Sequence, residues 1–479
     1  MMPLKEVNVL DINSEHLGVP TFQLMENAGK GTAETALAQF QIENKNVVII
    51  CGPGNNGGDG YVTARYLSEK SKVKVILLKP ESKIRSKISR TNYDKIKDTI
   101  EIVDATSLEK DIEGAELVID AMLGIGIFGE VREPYLSCIR TINKSNVQVL
   151  SVDVPSGLGT KDAIHPEMTV TFHDVKKGMT KENSGDIVVV DIGIPKEAEK
   201  FLGPGEYVYF PKPKEDSHKG DNGRLLIVGG GPYTGAPALA GLAAYRMGVD
   251  LVHIATPKKT YQVIASYSPN FIVHRLSGDI FTSEDMTILN DWIDKIDAIV
   301  IGCGLGDHPD TQNAVLEFIK ECQKPLVIDA DAIKPVAGEL GVLKDRDGVL
   351  TPHAGEFKIL SGKNVEPDIE SRAEQVKLFA NESGFTILMK GAIDIISDGE
   401  NVKLNKTGNC AMTVGGTGDV LAGCVGAMLS KGVSPFNSAR IAAFTNGTAG
   451  DLAFKDLGYS MMATDIIEKI PIVVKSFLR

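Results

Sequence analysis

The residues with the most distinctive chemistry lie near the end of the chain, where glycines precede a carboxylate. The string runs Gly415, Gly416, Thr417, Gly418 and Asp419. Successive glycines at the start of a helix expose backbone N–H groups that can hold a phosphoryl group during its transfer. The carboxylate of Asp419 could accept a proton from a hydroxyl group, as a general base does. The string predicts a phosphoryl-transfer site without a P-loop, with simple helix capping by Asp419 as the alternative.

A second glycine-rich loop, at residues 52–60, satisfies the pattern G-x-G-x-x-G and also carries Asn55, Asn56 and Asp59. A strand, such a loop and a helix in succession present backbone N–H groups to a phosphate. The bare glycine pattern also occurs in plain turns, but the string Asn-Asn-Gly-Gly-Asp is much rarer and favours a binding loop. The next predicted strand ends at Lys79, where a dehydrogenase would have an acid for the ribose. A dehydrogenase is therefore disfavoured.

Two further predicted strands in the first half end in polar residues. Asp120 lies at the end of the strand at 117–121, and Asp153 and Ser156 follow the strand at 149–152. Loops at the carboxyl ends of parallel strands converge on one crevice. Asn56, Asp120 and Ser156 would supply oxygen ligands for a hard cation, which leaves Asp153 free for proton transfer. For a single aspartate, capping of a turn is the usual role, and the combination of three strand ends argues against it.

The elements that position these residues alternate between apolar strands and helices, which predicts an α/β fold. A polar, proline-rich segment at 210–221 interrupts the alternation and marks a domain boundary. We therefore predict two tandem α/β domains, residues 1–210 and 211–479. Predicted strands lie at 47–51, 73–78, 117–121, 147–152, 187–192, 225–228, 251–255, 298–301, 326–328, 387–389 and 395–397, and late helices at 419–429 and 439–454.

Composition limits the possible partners. The chain has 479 residues, with 51 basic and 63 acidic side chains and a net charge of −12, which argues against a nucleic-acid partner. The start lacks a signal-peptide pattern, and no apolar run is long enough to span a membrane, so no membrane association is expected. Six scattered cysteines without a C-x-x-C pair are typical of a reducing compartment, which predicts a cytoplasmic protein.

From about residue 24 to 191, the chain resembles NAD(P)H-hydrate epimerases through the loops at 52–65, 120–130 and 153–157. The resemblance implies a Rossmann-like domain, with a potassium ion held by Asn56, Asp120 and Ser156. That Asp153 is the catalytic proton-transfer group is a hypothesis from its residue type and position. The resemblance also implies that the hydrated nucleotide is bound by Asn55, Asn56, Gly57, Gly58, Asp59, Gly124, Ile125, Gly126, Ile127, Phe128, Gly129, Glu130 and Asp153. The segment at 24–29 also matches, although by its residues alone it is interpreted as a structural helix that ends at Gly29.

The second half resembles the ADP-dependent NAD(P)H-hydrate dehydratase branch of the ribokinase-like enzymes, through the strings at 219–223, 351–356, 390–394 and 415–419. The resemblance implies Asp419 as the catalytic base, and the chemistry of phosphoryl transfer from ADP predicts a bound magnesium ion. Adenine-nucleotide contacts would come from Lys390, Gly391, Ala392, Ile393, Asp394, Gly416, Thr417 and Gly418. The hydrate pocket would be lined by Ala236, Gly304 or Gly306, His353 and Asp419. One departure is Cys303, where the branch often has proline.

Together the two resemblances cover nearly the whole chain, in the order found in bifunctional NAD(P)H-hydrate repair enzymes. They imply that the chain epimerises the R and S forms of hydrated NADH and NADPH. It would then dehydrate the S form at the expense of ADP, giving AMP and phosphate, and a homo-oligomer is expected. Two other interpretations stay open: a small-molecule kinase with ATP as donor, and a first domain that binds a nucleotide without turnover. The choice between ADP and ATP also stays open.

Overall fold

The computed structural model describes residues 2–125 and 129–478. The chain divides into two compact units, Met1–Ala198 and Glu199–Arg479. Each unit is built on its own β-sheet with helices on both faces, as the alternation of strands and helices predicts. Within the described residues, no helix combines the length and the apolar character needed to cross a membrane.

The first unit contains a seven-stranded sheet in which every neighbouring pair is parallel, in the order β3-β2-β1-β4-β5-β6-β7. Its strands are β1 Asn46–Cys51, β2 Lys72–Leu77, β3 Glu101–Asp104, β4 Leu117–Ala121, β5 Gln148–Val152, β6 Met168–Phe172 and β7 Asp186–Val190. The central strands β1, β4 and β5 are buried almost throughout, which explains their continuous apolar sequences. The sequence did not predict β3 and β6, because β3 is short and threonines interrupt the apolar run of β6.

The helices of the first unit cover both faces of this sheet. They are α1 Leu4–His16, α2 Thr21–Gln39, α3 Asn55–Leu67, α4 Lys87–Asp94, α5 Leu108–Glu113, α6 Tyr135–Lys144 and α7 Lys181–Ser184, with α8 Lys196–Lys200 at the boundary of the units. The strand order reverses between β1 and β4, and in an open parallel sheet such a point creates a crevice at the strand ends. Both polar loops that follow β1 and β4 start at this crevice.

Gly29 does not end a helix, contrary to the interpretation from its residue type. It lies in the middle of α2, which continues to Gln39. A Cβ atom at Gly29 would lie 2.4 Å from the Cβ of Val62 and 2.8 Å from the carbonyl oxygen of Asp59. The glycine is therefore structural, as expected, but its role is to let α2 pack against the first turns of α3.

The second unit contains a nine-stranded sheet in the order β10-β9-β8-β11-β12-β13-β14-β15-β16, with β15 and β16 antiparallel. Its strands are β8 Arg224–Val228, β9 Leu251–Thr256, β10 Ile272–Arg275, β11 Ala298–Ile301, β12 Leu326–Ile328, β13 Gly348–Leu350, β14 Thr386–Met389, β15 Asp394–Ser397 and β16 Val402–Asn405. The sequence did not predict β10, β13 and β16, which are only three or four residues long.

Helices flank this sheet as well, and two of them, α16 and α17, extend a few residues beyond the predicted helices at 419–429 and 439–454. They are α9 Gly235–Arg246, α10 Tyr261–Tyr267, α11 Met286–Ile293, α12 Pro309–Glu321, α13 Ile333–Gly338, α14 Ala354–Ser361, α15 Ile369–Ser383, α16 Thr417–Ser430, α17 Pro435–Leu457 and α18 Ala463–Phe477. Helix α16 is buried along most of its length, since it packs on the sheet and on α9.

The units divide before the proline-rich segment, earlier than the predicted boundary after residue 210. The 3-10 helix Pro204–Tyr209 already belongs to the second unit. Tyr207 is buried there, stacks on Phe210 with ring centroids 5.4 Å apart, and its hydroxyl lies 2.8 Å from the hydroxyl of Thr445. These aromatic anchors fix residues 199–210 in the second unit, whereas composition marked only the polar segment behind them.

Candidate active sites

In the first unit, the structure brings two of the three predicted cation ligands into direct contact. Asp120 is buried at the end of β4 and accepts hydrogen bonds from the Ser156 hydroxyl at 2.5 Å and from the Ser156 backbone N–H at 2.8 Å. It also accepts a hydrogen bond from the Ser151 hydroxyl at 2.9 Å. Burial raises the pKa of Asp120, and the hydrogen bonds from Ser156 partly offset this effect. A cation beside this carboxylate would favour its charged form.

The third predicted cation ligand, Asn56, has a buried side chain whose amide nitrogen and oxygen both lack a hydrogen-bond partner among the described residues. The Asn56 side chain lies against the loop after β4, since a Cβ atom at Gly124 would lie 3.4 Å from its Cβ and 3.9 Å from its Oδ1. A buried polar group without a partner costs about 1–3 kcal/mol. Oxygen donors from an amide, a carboxylate and a hydroxyl suit a hard cation, so these residues fit a potassium ion.

Asp153, the predicted proton-transfer group, follows β5 with a backbone φ of +64°, which is uncommon for a residue other than glycine. Its carboxylate forms an ion pair with the Nζ of Lys176 at 2.5 Å. Lys176 follows β6 and is fully buried, and its Nζ also donates to the hydroxyl of Thr171 at 3.0 Å and to the carbonyl of Phe172 at 2.6 Å. The sequence analysis missed Lys176, because it lies in no glycine-rich string.

Two further carboxyl groups face Asp153. Burial and the charge of Asp153 raise the pKa of Asp59, in the first turn of α3, well above its usual range, and the charge of Asp11 adds to this effect. Burial and the charge of Asp153 also raise the pKa of Asp11, on α1, to about 6. Asp59 was predicted from the loop, but Asp11 was not, since it is an ordinary acidic residue on a helix. The site therefore combines three carboxyl groups with one ammonium group.

The remaining predicted residues of the first site lie in the same two loops. Asn55, Gly57 and Gly58 form the start of α3, and Asn55 is exposed there. Gly124, Ile125, Gly129 and Glu130 belong to the loop after β4, where the Glu130 side chain is exposed and pairs with Lys161 at 3.5 Å. Gly126, Ile127 and Phe128 lie outside the described residues. The predicted nucleotide contacts of all these residues stay predictions.

In the second unit, Asp419 lies in the first turn of α16, and Gly416 is the N-cap residue with a φ of +96°. Asp419 is therefore not the helix cap, which removes the simple structural alternative. The backbone N–H groups at the start of the helix have no carbonyl one turn earlier to bond with. Asp419 is partly exposed, so that its carboxylate and these N–H groups are both available to a ligand.

Three groups from neighbouring strand ends surround Asp419. Asp329 follows β12, Cys303 follows β11, and the Cys303 Sγ and one carboxylate oxygen each of Asp329 and Asp419 lie within 4.8 Å of one another. Lys390 follows β14, and its Nζ lies 2.8 Å from the Oδ1 of Asp329. Burial and the charge of Asp329 raise the pKa of Asp419 to about 6, whereas a hydrogen bond from the Cys303 thiol lowers it.

Lys390 and Gly418, two predicted nucleotide contacts, lie close together. A Cβ atom at Gly418 would lie 3.5 Å from the Nζ of Lys390, and that Nζ also lies 4.0 Å from a carboxylate oxygen of Glu356. Burial lowers the pKa of Lys390, but the charges of Asp329 and Glu356 outweigh this effect and raise it. Lys390 is thus a cation beside the N-terminus of α16, as a phosphate site requires.

The loop from Lys390 to Asp394 is held by its own last residue. The Asp394 carboxylate accepts a hydrogen bond from the Gly391 N–H at 3.0 Å and another from the Asn405 amide at 3.0 Å. Burial raises the pKa of Asp394 to about 6. Gly391, Ala392 and Ile393 form the turn between β14 and β15. The side chain of Asp394 therefore shapes the turn, and contact with a nucleotide stays a prediction for this segment.

The predicted pocket residues Ala236, Gly304 and Gly306 lie together. A Cβ atom at Gly304 would be 2.5 Å from the carbonyl oxygen of Tyr233 and 3.2 Å from the Cβ of Ala236. The Gly306 N–H donates to Asp331 at 2.7 Å. Both glycines have a positive φ, +74° and +82°, which permits this close approach of the two loops. The geometry does not choose between them as the substrate contact.

His353 caps helix α14. Its Nδ1 accepts hydrogen bonds from the N–H groups of Gly355 and Glu356 at 3.0 and 3.2 Å, and its side chain is largely exposed. Its backbone forms a bridge with Lys390, so this residue lies beside the start of the loop at 390–394. The structure therefore gives His353 a capping role, and its predicted contact with the hydrate stays a prediction.

The sequence analysis missed Asp329, Asp331 and the pairing role of Glu356. Each is an acidic residue shortly after a strand, and none is part of a glycine-rich string. A strand end followed by Asp-Ala-Asp, at 329–331, was the available signal, since loops at carboxyl ends of parallel strands form ligand sites. Their importance follows from contacts with residues more than twenty positions away.

Comparisons with known proteins match both units. The family description "NAD(P)H-hydrate dehydratase" matches residues 225–472, just over half of the chain, and "YjeF-related protein N-terminus" matches residues 21–178. The chain is 44% identical to the bifunctional NAD(P)H-hydrate repair enzyme Nnr of Hyperthermus butylicus, over 97% of this chain and 90% of that protein. It is 41% identical to the enzyme of the same name from Archaeoglobus fulgidus, over 98% and 97% of the two chains.

A solved structure supports the fold of the second unit. A ribokinase-like superfamily protein from Enterococcus faecalis V583 matches with a TM-score of 0.50 and 24% sequence identity, over 58% of this chain and 96% of that chain. At this identity the likeness concerns the fold. It agrees with the ribokinase-like architecture that the sequence predicts.

Proposed function

This chain belongs to the family of bifunctional NAD(P)H-hydrate repair enzymes, and we propose that its two units divide the repair between them. The first unit epimerises the R and S forms of hydrated NADH and NADPH. The second unit dehydrates the S form and restores the reduced nucleotide, converting ADP to AMP and phosphate. The product of the first unit is thus the substrate of the second.

The observation that carries the dehydratase assignment is the position of Asp419 beside the uncapped N-terminus of α16 and near Lys390. The hydrate carries a hydroxyl group, and hydroxide is a poor leaving group. Asp419 accepts the proton of this hydroxyl. The oxygen of the hydrate then takes the terminal phosphoryl group of ADP, and AMP is released. The N–H groups of 416–418 and the ammonium of Lys390 stabilise the negative charge of the phosphoryl group in transfer.

Elimination completes the reaction. The phosphate leaves with the C–O bonding electrons, the neighbouring carbon loses a proton, and the ring double bond forms again. A magnesium ion bound with ADP would reduce the negative charge of the phosphates. The carboxylates of Asp329 and Asp331 offer the oxygen donors that such a hard cation prefers, so the site fits magnesium.

For the first unit, we propose Asp153 as the group that moves a proton during epimerisation. Asn56, Asp120 and Ser156 would hold a potassium ion, which would offset the charge of Asp120 and fix the two loops at the crevice. The amide of Asn56, buried without a partner among the described residues, supports this site. A cytoplasmic location and a homo-oligomeric state remain predictions from the sequence.

The test supplies mixed hydrate epimers to the full chain, with ADP and separately with ATP, and follows the absorbance of the reduced nicotinamide. We expect recovery of both epimers with ADP. Asp419→Asn should lower the dehydration rate by about 10²–10⁴-fold, the usual contribution of a general base. Asp310→Asn is the matched control, because Asp310 is also a first-turn carboxylate, in α12, but is exposed.

Two outcomes would overturn the proposal. An Asp419→Asn protein that dehydrates at the wild-type rate would exclude Asp419 as the base. Accumulation of a stable phosphorylated alcohol from ATP, with no recovery of the reduced nucleotide, would instead favour a small-molecule kinase.

A further inference from the structure

The first site contains more ionisable groups than its motifs predict. Asp11 comes from α1, Asp59 from α3, Asp153 from the end of β5, and Lys176 from the segment after β6. Three carboxyl groups thus face one ammonium group in a largely buried place. If all four were ionised, the group would carry two uncompensated negative charges. Neighbouring negative charges raise the pKa of a carboxyl group and so favour its protonated form.

The ammonium group of Lys176 forms an ion pair with the Asp153 carboxylate. Its Nζ has three donor positions, and three acceptors surround it: the Asp153 carboxylate at 2.5 Å, the Phe172 carbonyl at 2.6 Å and the Thr171 hydroxyl at 3.0 Å. Asp153 also accepts weaker hydrogen bonds from Thr171 and Phe172, both at 3.4 Å. These contacts hold the Asp153 side chain in one orientation.

Asp59 is in the opposite situation. It lies in the first turn of α3, at the end of the predicted binding loop at 52–60. Lys176 forms its ion pair with Asp153 and not with Asp59. Burial and the charges of Asp153 and Asp11 raise the pKa of Asp59, which the charge of Lys176 only partly offsets. The other ionisable neighbour is the thiol of Cys51 on β1, which burial keeps neutral. Burial and these neighbouring charges therefore favour the protonated form of Asp59.

We propose that Lys176 is a positioning residue for epimerisation, which holds Asp153 as the base, and that Asp59 is the acid. This inference deepens the proposed function of the first unit and rests on it. The hydroxyl-bearing carbon of the hydrate lies next to the ring nitrogen, whose lone pair can form a C=N bond when the C–O bond breaks.

The step balances without any further reactant. Asp59 gives its proton to the hydroxyl oxygen, the C–O bond breaks and water leaves, and the ring nitrogen supplies the electron pair for the C=N bond. Water then adds to the other face of that carbon, the C=N electrons return to nitrogen, and Asp153 takes the proton of the added water. One proton has moved from Asp59 to Asp153 and returns through solvent. The substrate has only exchanged the configuration of one carbon.

The test uses the full chain with purified R hydrate and ADP, so that recovery of the reduced nucleotide depends on epimerisation. The variants are Lys176→Met, Lys176→Arg and Asp59→Asn. The neighbouring exposed Lys177 provides the matched control, Lys177→Met. Each protein is also given S hydrate, whose dehydration in the second unit reports that the chain is folded and active.

We expect Lys176→Met to lower kcat for the R hydrate by about 10–100-fold, the usual loss when a positioning partner is removed. Lys176→Arg should restore part of the rate. Asp59→Asn should lower kcat by about 10²–10⁴-fold and remove the alkaline limb, because the proton donor is gone. Lys177→Met should use R hydrate at the wild-type rate. All variants should use S hydrate at the wild-type rate.

Several results would overturn the inference. A Lys176→Met protein with a higher KM and an unchanged kcat would leave Lys176 a merely structural residue. Asp59→Asn that keeps the alkaline limb would exclude Asp59 as the acid, and this variant decides the matter even where Lys176→Met fails to fold. A wild-type chain that cannot use R hydrate faster than spontaneous epimerisation would refute the proposed function itself, which is a separate outcome.

Discussion

The Asp419 carboxylate must be ionised to accept a proton, and its surroundings determine the pH at which this occurs. Burial and the charge of Asp329 raise its pKa to about 6. We therefore expect kcat/KM for S hydrate to fall about tenfold per pH unit below about pH 6, because only the charged form acts as a base. A pH–rate profile of the free enzyme measures this limb. A profile that stays flat down to pH 4.5 would contradict the assignment.

Cys303 affects the pH below which kcat/KM for S hydrate falls. Its buried thiol donates a hydrogen bond to the Asp419 carboxylate, which lowers the pKa of Asp419. The sequence analysis noted this cysteine only as a departure from the proline that the branch often has, but the thiol adds a hydrogen-bond donor to the site. We expect the acid limb of Cys303→Ala to lie at higher pH than that of the wild type, with kcat at pH 8 little changed. The profile of the exposed Cys410→Ala should coincide with the wild type. Identical limbs for both variants would exclude the thiol as a tuning group.

Substitution of Asn56 tests the proposed potassium site through the thermal stability of the chain. The buried amide of Asn56 has no partner among the described residues, so a bound cation would supply the missing interaction. Since a ligand that binds only the folded state stabilises it, potassium chloride should raise the Tm of the wild type more than choline chloride at equal ionic strength. Asn56→Leu should abolish the difference between the two salts. A wild type that responds equally to both would argue against a specific site.

At the scale of the elements, the close packing of α16 against α9 positions the first turn of α16, which carries Asp419. A Cβ atom at Gly423 would lie 2.1 Å from the carbonyl oxygen of Ala240, which is backbone and cannot turn aside. Gly423→Ala should therefore lower the free energy of unfolding by about 1–3 kcal/mol, the usual cost of overpacking. Denaturant titration measures it. Gly338→Ala, in α13, is the control, because a Cβ atom there meets nothing within 4 Å and the stability should stay the same or rise.

The contact between β9 and β10 contains a histidine pair outside either site. The Nδ1 of His253 lies 2.8 Å from the Nε2 of His274, and both rings contact Trp292. Burial and the charge of His274 lower the pKa of His253 to about 4. Between about pH 6.5 and 4, His253 therefore binds a proton in the unfolded chain but not in the folded chain. The free energy of unfolding should therefore fall between about pH 6.5 and 4, by up to about 1.4 kcal/mol per pH unit.

His253→Gln isolates this contribution, since the difference between the two proteins cancels the titration of all other groups. The buried carboxyl groups with a raised pKa, such as Asp11 and Asp394, act in the opposite direction. Their contribution is common to both proteins. Equal pH dependence of stability for wild type and His253→Gln would show that the pair does not titrate as argued.

At the scale of the whole molecule, each unit has its own sheet, its own cores and its own ionisable groups. We therefore expect the two activities to be lost separately. Given mixed epimers and ADP, Asp153→Asn should recover the S portion at the wild-type rate and the R portion only at the spontaneous rate. Asp419→Asn should still interconvert the epimers, which chromatography of the hydrates would detect. Loss of S-hydrate turnover in Asp153→Asn would show that the units depend on each other.

The local sequence predicted the parts of this protein that depend on local backbone requirements. Glycines at 52–60 and 415–418 are needed where backbone approaches backbone or a helix begins, and such demands leave a string that can be read directly. Central strands such as β1 and β11 are buried on both faces, and their apolar runs indicate them. The alternation of strands and helices therefore determined the fold class and the order of the two domains.

Only the tertiary structure decided which charged residues share a site. Asp11, Lys176, Asp329 and Asp331 lie in ordinary surroundings along the chain, and they acquire their roles from partners that the topology brings to the same strand ends. Whether a carboxyl group is ionised likewise depends on burial and on charges from other elements, as the raised pKa of Asp59 illustrates. Short strands such as β13 form only because neighbours supply their hydrogen bonds. Burial and pairing are properties of the folded chain, and no local pattern contains them.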